Sequence, residues 1–257
     1  MQMKETIVKI LKKVELEDPI LIEGLPGVGH VGKLVAEQVV EELETEKIVE
    51  IYSPHFPPQV IVKDDFSVEL VKNEFYAHKS DTHNDLLIVV GDHQSVTNEG
   101  HYEISDIILN IATEYNVKRI YTLGGYGTGQ LTESESVLGA VNNTDLIEEL
   151  KEFGVEFKDN EPAGGIVGVS GLLLGLSKLR GIDAACLMGT TSGYLVDPKS
   201  AQAVLSVLSS ILDMQVDTQS LEERAKDMER IMAKILEMEQ MQGPREIGAD
   251  EDLRYIG

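Results

Sequence analysis

The sequence predicts an α/β protein, a three-layer α/β/α sandwich on a mostly parallel sheet, with a C-terminal helical extension. One observation carries the sandwich. Short apolar runs bounded by glycine, proline or charge alternate with amphipathic stretches as far as residue 212. That alternation is how βαβ units read, with helices covering both faces of a parallel sheet. A second observation marks the extension: beyond residue 212 comes one long amphipathic stretch with no apolar run beside it.

Taken in order, 19–23 is a short apolar run ending at Gly24, and reads as a buried strand. Residues 33–43 are helical in period, with Leu34, Val35, Val39, Val40 and Leu43 on one side. A second strand at 48–52 is stopped by Pro54, Pro57 and Pro58. Residues 59–79 alternate around Lys63-Asp-Asp-Phe66 and predict a hairpin. The clearest buried strand is 85–91, followed by a helix over about 99–115. Another strand, 119–124, runs into the glycine-rich Gly124-Gly-Tyr-Gly-Thr-Gly129. A strand at 136–141, helices at 144–153 and 167–180, a strand at 184–188 and a helix at 198–212 complete the layers.

Residues 213–242 form the helical extension. Its apolar positions, Leu221, Ala225, Met228, Ile231, Met232, Ile235, Leu236, Met238 and Met241, recur at spacings of three and four. The methionine-rich stripe suits an adaptable contact surface, and Met228, Ile231, Met232 and Ile235 are the residues expected to hold a homo-oligomer together. Packing of the stripe on the parent domain is the alternative. Gly243-Pro244 stops the helix, and 243–257 reads as a flexible acidic tail that ends in apolar residues, Leu253, Tyr255 and Ile256. An extended peptide with an anchoring tyrosine is a ready docking element.

Composition narrows the function. The 257 residues carry 45 Asp plus Glu against 22 Lys plus Arg, a net charge of −23. Such a chain repels the phosphates of nucleic acids and anionic membrane surfaces. No apolar run is long enough to span a bilayer, and 1–10 lack the apolar core of a signal peptide, so the expectation is cytoplasmic. The single cysteine, Cys186, lies in Asp183-Ala-Ala-Cys-Leu-Met188 and reads as a buried, inert thiol in a reducing compartment.

The most tempting constellation follows the first strand. Gly27-Val-Gly29-His-Val-Gly32 fits the dinucleotide pattern G-x-G-x-x-G, with Glu50 18 residues beyond Gly32 where a ribose acid would fall. The same residues with Lys33 nearly make a P-loop, but Leu34 stands where a hydroxyl should hold Mg²⁺. Two incompatible motifs on one loop count against both. The preferred reading is structural: the glycines let a strand turn sharply into a closely packed helix. An anion at the helix N-terminus, held by Gly27, Gly29, Gly32 and Lys33, and a dinucleotide are the alternatives. His78, His83, Asp92, His93 and His101 lack the spacing of a helical metal site and read as loop and surface residues. Gly168-Val-Ser170-Gly-Leu172 imitates a nucleophile elbow, but Leu172 replaces its second glycine, so Ser170 more simply opens a helix. Gly124 to Gly129 fit an anion nest or a plain connector equally. No metal or cofactor is expected.

Ile22-Glu-Gly-Leu-Pro-Gly-Val-Gly-His-Val-Gly-Lys33, Gly124-Gly-Tyr-Gly127 and Asp252-Leu-Arg-Tyr-Ile-Gly257 together resemble the archaeal proteasome assembly chaperones, over about residues 15–257. The resemblance implies a sandwich like that of purine nucleoside phosphorylases, without their activity. It implies a homo-oligomer that works without ATP and binds the α-subunit ring of the 20S proteasome. The tail is similar to the hydrophobic–tyrosine–any motif that proteasomal activators insert between α-subunits. Here Tyr255 stands third from the end, after Arg254, and Leu253, Tyr255, Ile256 and Gly257 are the matching residues. The expectation is therefore a non-enzymatic chaperone or adaptor. The alternatives are an enzyme or sensor for a nucleotide or phosphorylated ligand at the glycine loop, and a self-assembling scaffold.

Overall fold

The computed structural model describes residues 5–82, 84–129, 136–159, 161–162, 165–223 and 225–226. The strands, in chain order, are β1 (Ile7–Ile10), β2 (Ile20–Gly24), β3 (Glu46–Tyr52), β4 (Val60–Val62), β5 (Val68–Leu70), β6 (Asn73–His78), β7 (Leu86–Gly91), β8 (Arg119–Gly127), β9 (Val137–Val141), β10 (Val155–Glu156) and β11 (Asp183–Thr191). The helices are α1 (Val31–Glu42), α2 (Asn98–Glu114), α3 (Leu146–Glu152), α4 (Val169–Leu179) and α5 (Pro198–Leu212).

Among the described residues, nine strands form one sheet in the order β1-β3-β6-β7-β2-β8-β11-β9-β10. Its centre is parallel: β2 pairs with β7 and β8, and β8 pairs with β11. Beyond this centre neighbouring strands reverse, at β7–β6, β6–β3 and β3–β1 on one side and at β11–β9 on the other, and β10 then runs parallel to β9. The α/β/α sandwich expected from the alternation is thus present, with antiparallel flanks. Every residue of β2 and β7 is buried, as central strands covered on both faces require.

The period of two divides the core. Ile20 and Ile22 belong to the core on the side of α1, α3 and α5, with Val35, Leu150 and Leu205; Leu21 belongs to the other layer with Ile104 and Ile108 of α2 and Leu173 of α4. Each such fully buried aliphatic contributes about 1.5–3 kcal/mol. Helix starts follow local chemistry. Thr97 accepts from Gly100 N at 3.1 Å to open α2, and Asp197 accepts from Ser200 N at 2.9 Å ahead of Pro198 to open α5.

Four segments depart from expectation. The hairpin over 59–79 is only β4 and β5; the rest, β6, enters the main sheet against β7. The glycine-rich 124–127 is strand, not connector or nest, because β11 supplies a parallel partner as far as Thr191. Strands β1 and β10, at the two edges, had no expectation at all.

The extension begins docked. Met214 and Leu221 are buried in the α1–α5 core. Gln38 of α1 donates to the Asp217 carbonyl at 2.8 Å and accepts from the Ser220 hydroxyl at 2.5 Å. Met228, Ile231, Met232, Ile235, Leu253, Tyr255, Ile256 and Gly257 lie outside the described residues, as does His83.

Candidate functional site

The carboxyl ends of β2, β8 and β11 converge on one crevice. The chain leaves β2 into α1 on one face and β7 into α2 on the other, so neighbouring strands part here, as at the ligand-binding switch points of open α/β sheets.

The glycine loop forms one wall, and its glycines are occupied by packing. A Cβ on Gly32 would stand 2.1 Å from the Leu123 carbonyl oxygen of β8, and one on Gly24 would stand 2.2 Å from the Gly32 carbonyl. Helix α1 therefore lies backbone to backbone on β2 and β8. Gly29 has φ 61, a left-handed conformation that an L side chain rarely adopts. The loop's carbonyls have internal partners: His30 N donates to Gly27 O at 3.0 Å, Asp197 N to Gly29 O at 2.8 Å and Gln94 Nε2 to Pro26 O at 2.8 Å. Lys33 pairs with Glu37 one turn along its own helix, at 3.4 Å. The lysine that a P-loop would aim at phosphate thus has a carboxylate partner on α1.

Beneath the crevice sits a buried carboxyl that no sequence motif marked. Glu23, at the end of β2, is fully buried. It accepts from the Ser170 hydroxyl at 2.9 Å and from Leu25 N at 3.1 Å. Burial pushes its pKa up to about 7, against the opposing pull of these two hydrogen bonds. Thr122 and Cys186 stand beside it in register on β8 and β11. Burial pushes the Cys186 thiol up to about 12, so it stays protonated and inert, as expected. Among the described residues no histidine bonds to Ser170; its hydroxyl is held by the Glu23 carboxyl.

Above this row lies a cavity of about 560 Å³. Gln94 braces it, accepting from Val169 N at 3.0 Å while holding Pro26. His101 belongs to the first turn of α2 and lines the cavity, where a loop or surface position was expected. Burial holds its imidazole below the usual histidine range. Its position was illegible because the α2 sequence does not say what packs over its start. Among the described residues no group of three or more His, Cys, Asp or Glu is placed to hold a metal ion, and no helix is long and apolar enough to cross a membrane.

The family model described as the PAC2 family matches residues 21–236. An uncharacterized protein of Methanocaldococcus jannaschii is 41% identical over 261 residues, covering 100% of both chains. The crystal structure of Pyrococcus furiosus PbaB, described as an archaeal proteasome activator, is 45% identical with a TM-score of 0.85, over 91% of this chain and 99% of that one. Pyrococcus furiosus PbaA, described as an archaeal homolog of proteasome-assembly chaperone, is 27% identical with a TM-score of 0.75, over 93% and 94%.

Proposed function

The chain belongs to the PAC2 family, and from that premise we propose that it acts as an ATP-independent chaperone or adaptor of the 20S proteasome. It works in the cytoplasm by binding rather than by catalysis. The observation that carries this reading is the likeness to the archaeal proteasome activator PbaB over nearly the whole of both chains. The glycine loop supports it in that Lys33 pairs with Glu37 along α1 and Leu34 stands where a P-loop needs a hydroxyl.

The partner is the α-subunit ring, and the anchor is the apolar end of the tail, Leu253, Tyr255, Ile256 and Gly257. Tyr255 fills a pocket between subunits while Leu253 and Ile256 add apolar contact. One buried aromatic with a charge-assisted contact contributes roughly 2–4 kcal/mol, so a single tail binds weakly. Several tails on one homo-oligomer gain by effective concentration, about 10²-fold or more. Oligomer and tail therefore act together.

Surface plasmon resonance on immobilised α-subunit rings tests this. The full chain binds; deletion of 251–257 abolishes binding while circular dichroism and mass per oligomer stay unchanged, and Tyr255→Ala comes close to the deletion. Equal binding by the truncated chain would place the anchor on the sandwich.

A further inference from the structure

We infer that the crevice at the carboxyl ends of β2, β8 and β11 binds a small uncharged organic molecule with a largely apolar body and one hydrogen-bonding group. The inference stands apart from the proteasome reading.

Unused space carries it first. The cavity of about 560 Å³ falls within the range of small-molecule sites. One of its lining glycines has no steric reason to be glycine. A Cβ on Gly124 of β8 would come no nearer than 4.0 Å to Met188, and Gly124 is not among the positive-φ positions. Glycine within a strand costs backbone entropy and leaves nothing to pack. Gly32 and Gly24 serve close packing; at Gly124 the visible return is the open space itself.

The lining sets the ligand's chemistry. No lysine or arginine lines the cavity among the described residues, and the acidic Glu23 lies beneath it, bonded to the lining Ser170. Phosphates and carboxylates therefore find no cationic side chain there. Leu25, Leu123, Ile166 and Met188 supply apolar walls, and the exposed Val28 and Val167 make the lining apolar at the mouth as well. One polar group of the lining has a vacant hydrogen-bonding position. Ser170 gives its proton to Glu23, which leaves its oxygen free to accept.

Thermal unfolding with charge-matched probes tests the inference: indole beside indole-3-acetate, nicotinamide beside nicotinate, and inorganic phosphate, each at 10 mM against the full chain. The same series runs on Gly27→Leu and Gly124→Leu, whose side chains enter the cavity. At least one neutral probe raises the midpoint by about 3 °C once at roughly ten times its Kd. Its anionic counterpart and phosphate shift it by less than about 1 °C, and the neutral shift disappears in whichever leucine variant retains the wild-type circular dichroism. Absence of a shift with both neutral probes overturns the inference. So does an equal shift with the anions, or an undiminished shift in a folded leucine variant. The wild-type arms decide by themselves if neither variant folds.

Discussion

Ser170, on the first turn of α4, donates its hydroxyl to the buried Glu23 carboxylate at the end of β2 across 2.9 Å, joining positions 147 residues apart in the chain. The contact ties the start of a helix in one layer to the central sheet beneath the crevice. It also places a carboxyl that titrates near neutrality inside the fold.

That carboxyl makes stability depend on pH. The unfolded side chain ionises near 4.5, while the folded one holds its proton to about 7. Between those values the folded state binds more protons, so stability falls as pH rises from about 4.5 through 7. The drop is on the order of 3 kcal/mol at about 1.4 kcal/mol per pH unit. Urea unfolding at pH 5 and pH 8 should show it in the wild type and show little of it in Glu23→Gln. Ser170→Ala should cost about 1–3 kcal/mol by removing the donor.

Glu50 behaves in the opposite sense. Burial pushes it up, but hydrogen bonds from Lys9 at 2.9 Å, Lys72 at 3.2 Å and Tyr52 at 3.0 Å outweigh this and hold it at about 2. Its contribution is present above about 4.5 and lost as pH falls toward 2. Acid unfolding of Glu50→Gln should be shallower than that of the wild type, with a loss of about 1–3 kcal/mol already present at pH 7.

The glycine loop separates packing from permissiveness. Gly32→Ala drives a Cβ into the Leu123 carbonyl and should cost about 3 kcal/mol or more by denaturant titration. Gly27→Ala should stay within about 1 kcal/mol of wild type. Lys33→Ala removes only the helical pair with Glu37, worth about 0.5 kcal/mol, and should leave α-ring binding intact. ATP and NAD at millimolar concentration should not raise the unfolding midpoint; a clear rise with either would restore the nucleotide reading.

The extension should hold an oligomer. Light scattering of the wild type at micromolar concentration should give a multiple of the 28.3 kDa chain mass. Glu at both Ile231 and Ile235 should reduce it, because burying two unpaired carboxylates in a helix contact is prohibitive. A wild-type mass near that of one chain would end the oligomer proposal.

The alternation of the central strands and the helices was legible in the chain by itself, and the helix Pro198–Leu212 has the bounds read from its sequence. So were the buried Cys186 and the structural use of Gly32. These depend on periodicity, turn residues and caps, which act within a few residues. What only the tertiary structure decided depends on partners far along the chain. Gly124 to Gly127 became strand because β11 lies beside them, and β1 became strand because β3 does. His101 entered a cavity because α2 begins where three other strands end, and Glu23 found Ser170 only when α4 closed over the sheet. A glutamate followed by glycine carries no local mark of burial; its desolvation and its partner exist only after the layers have packed.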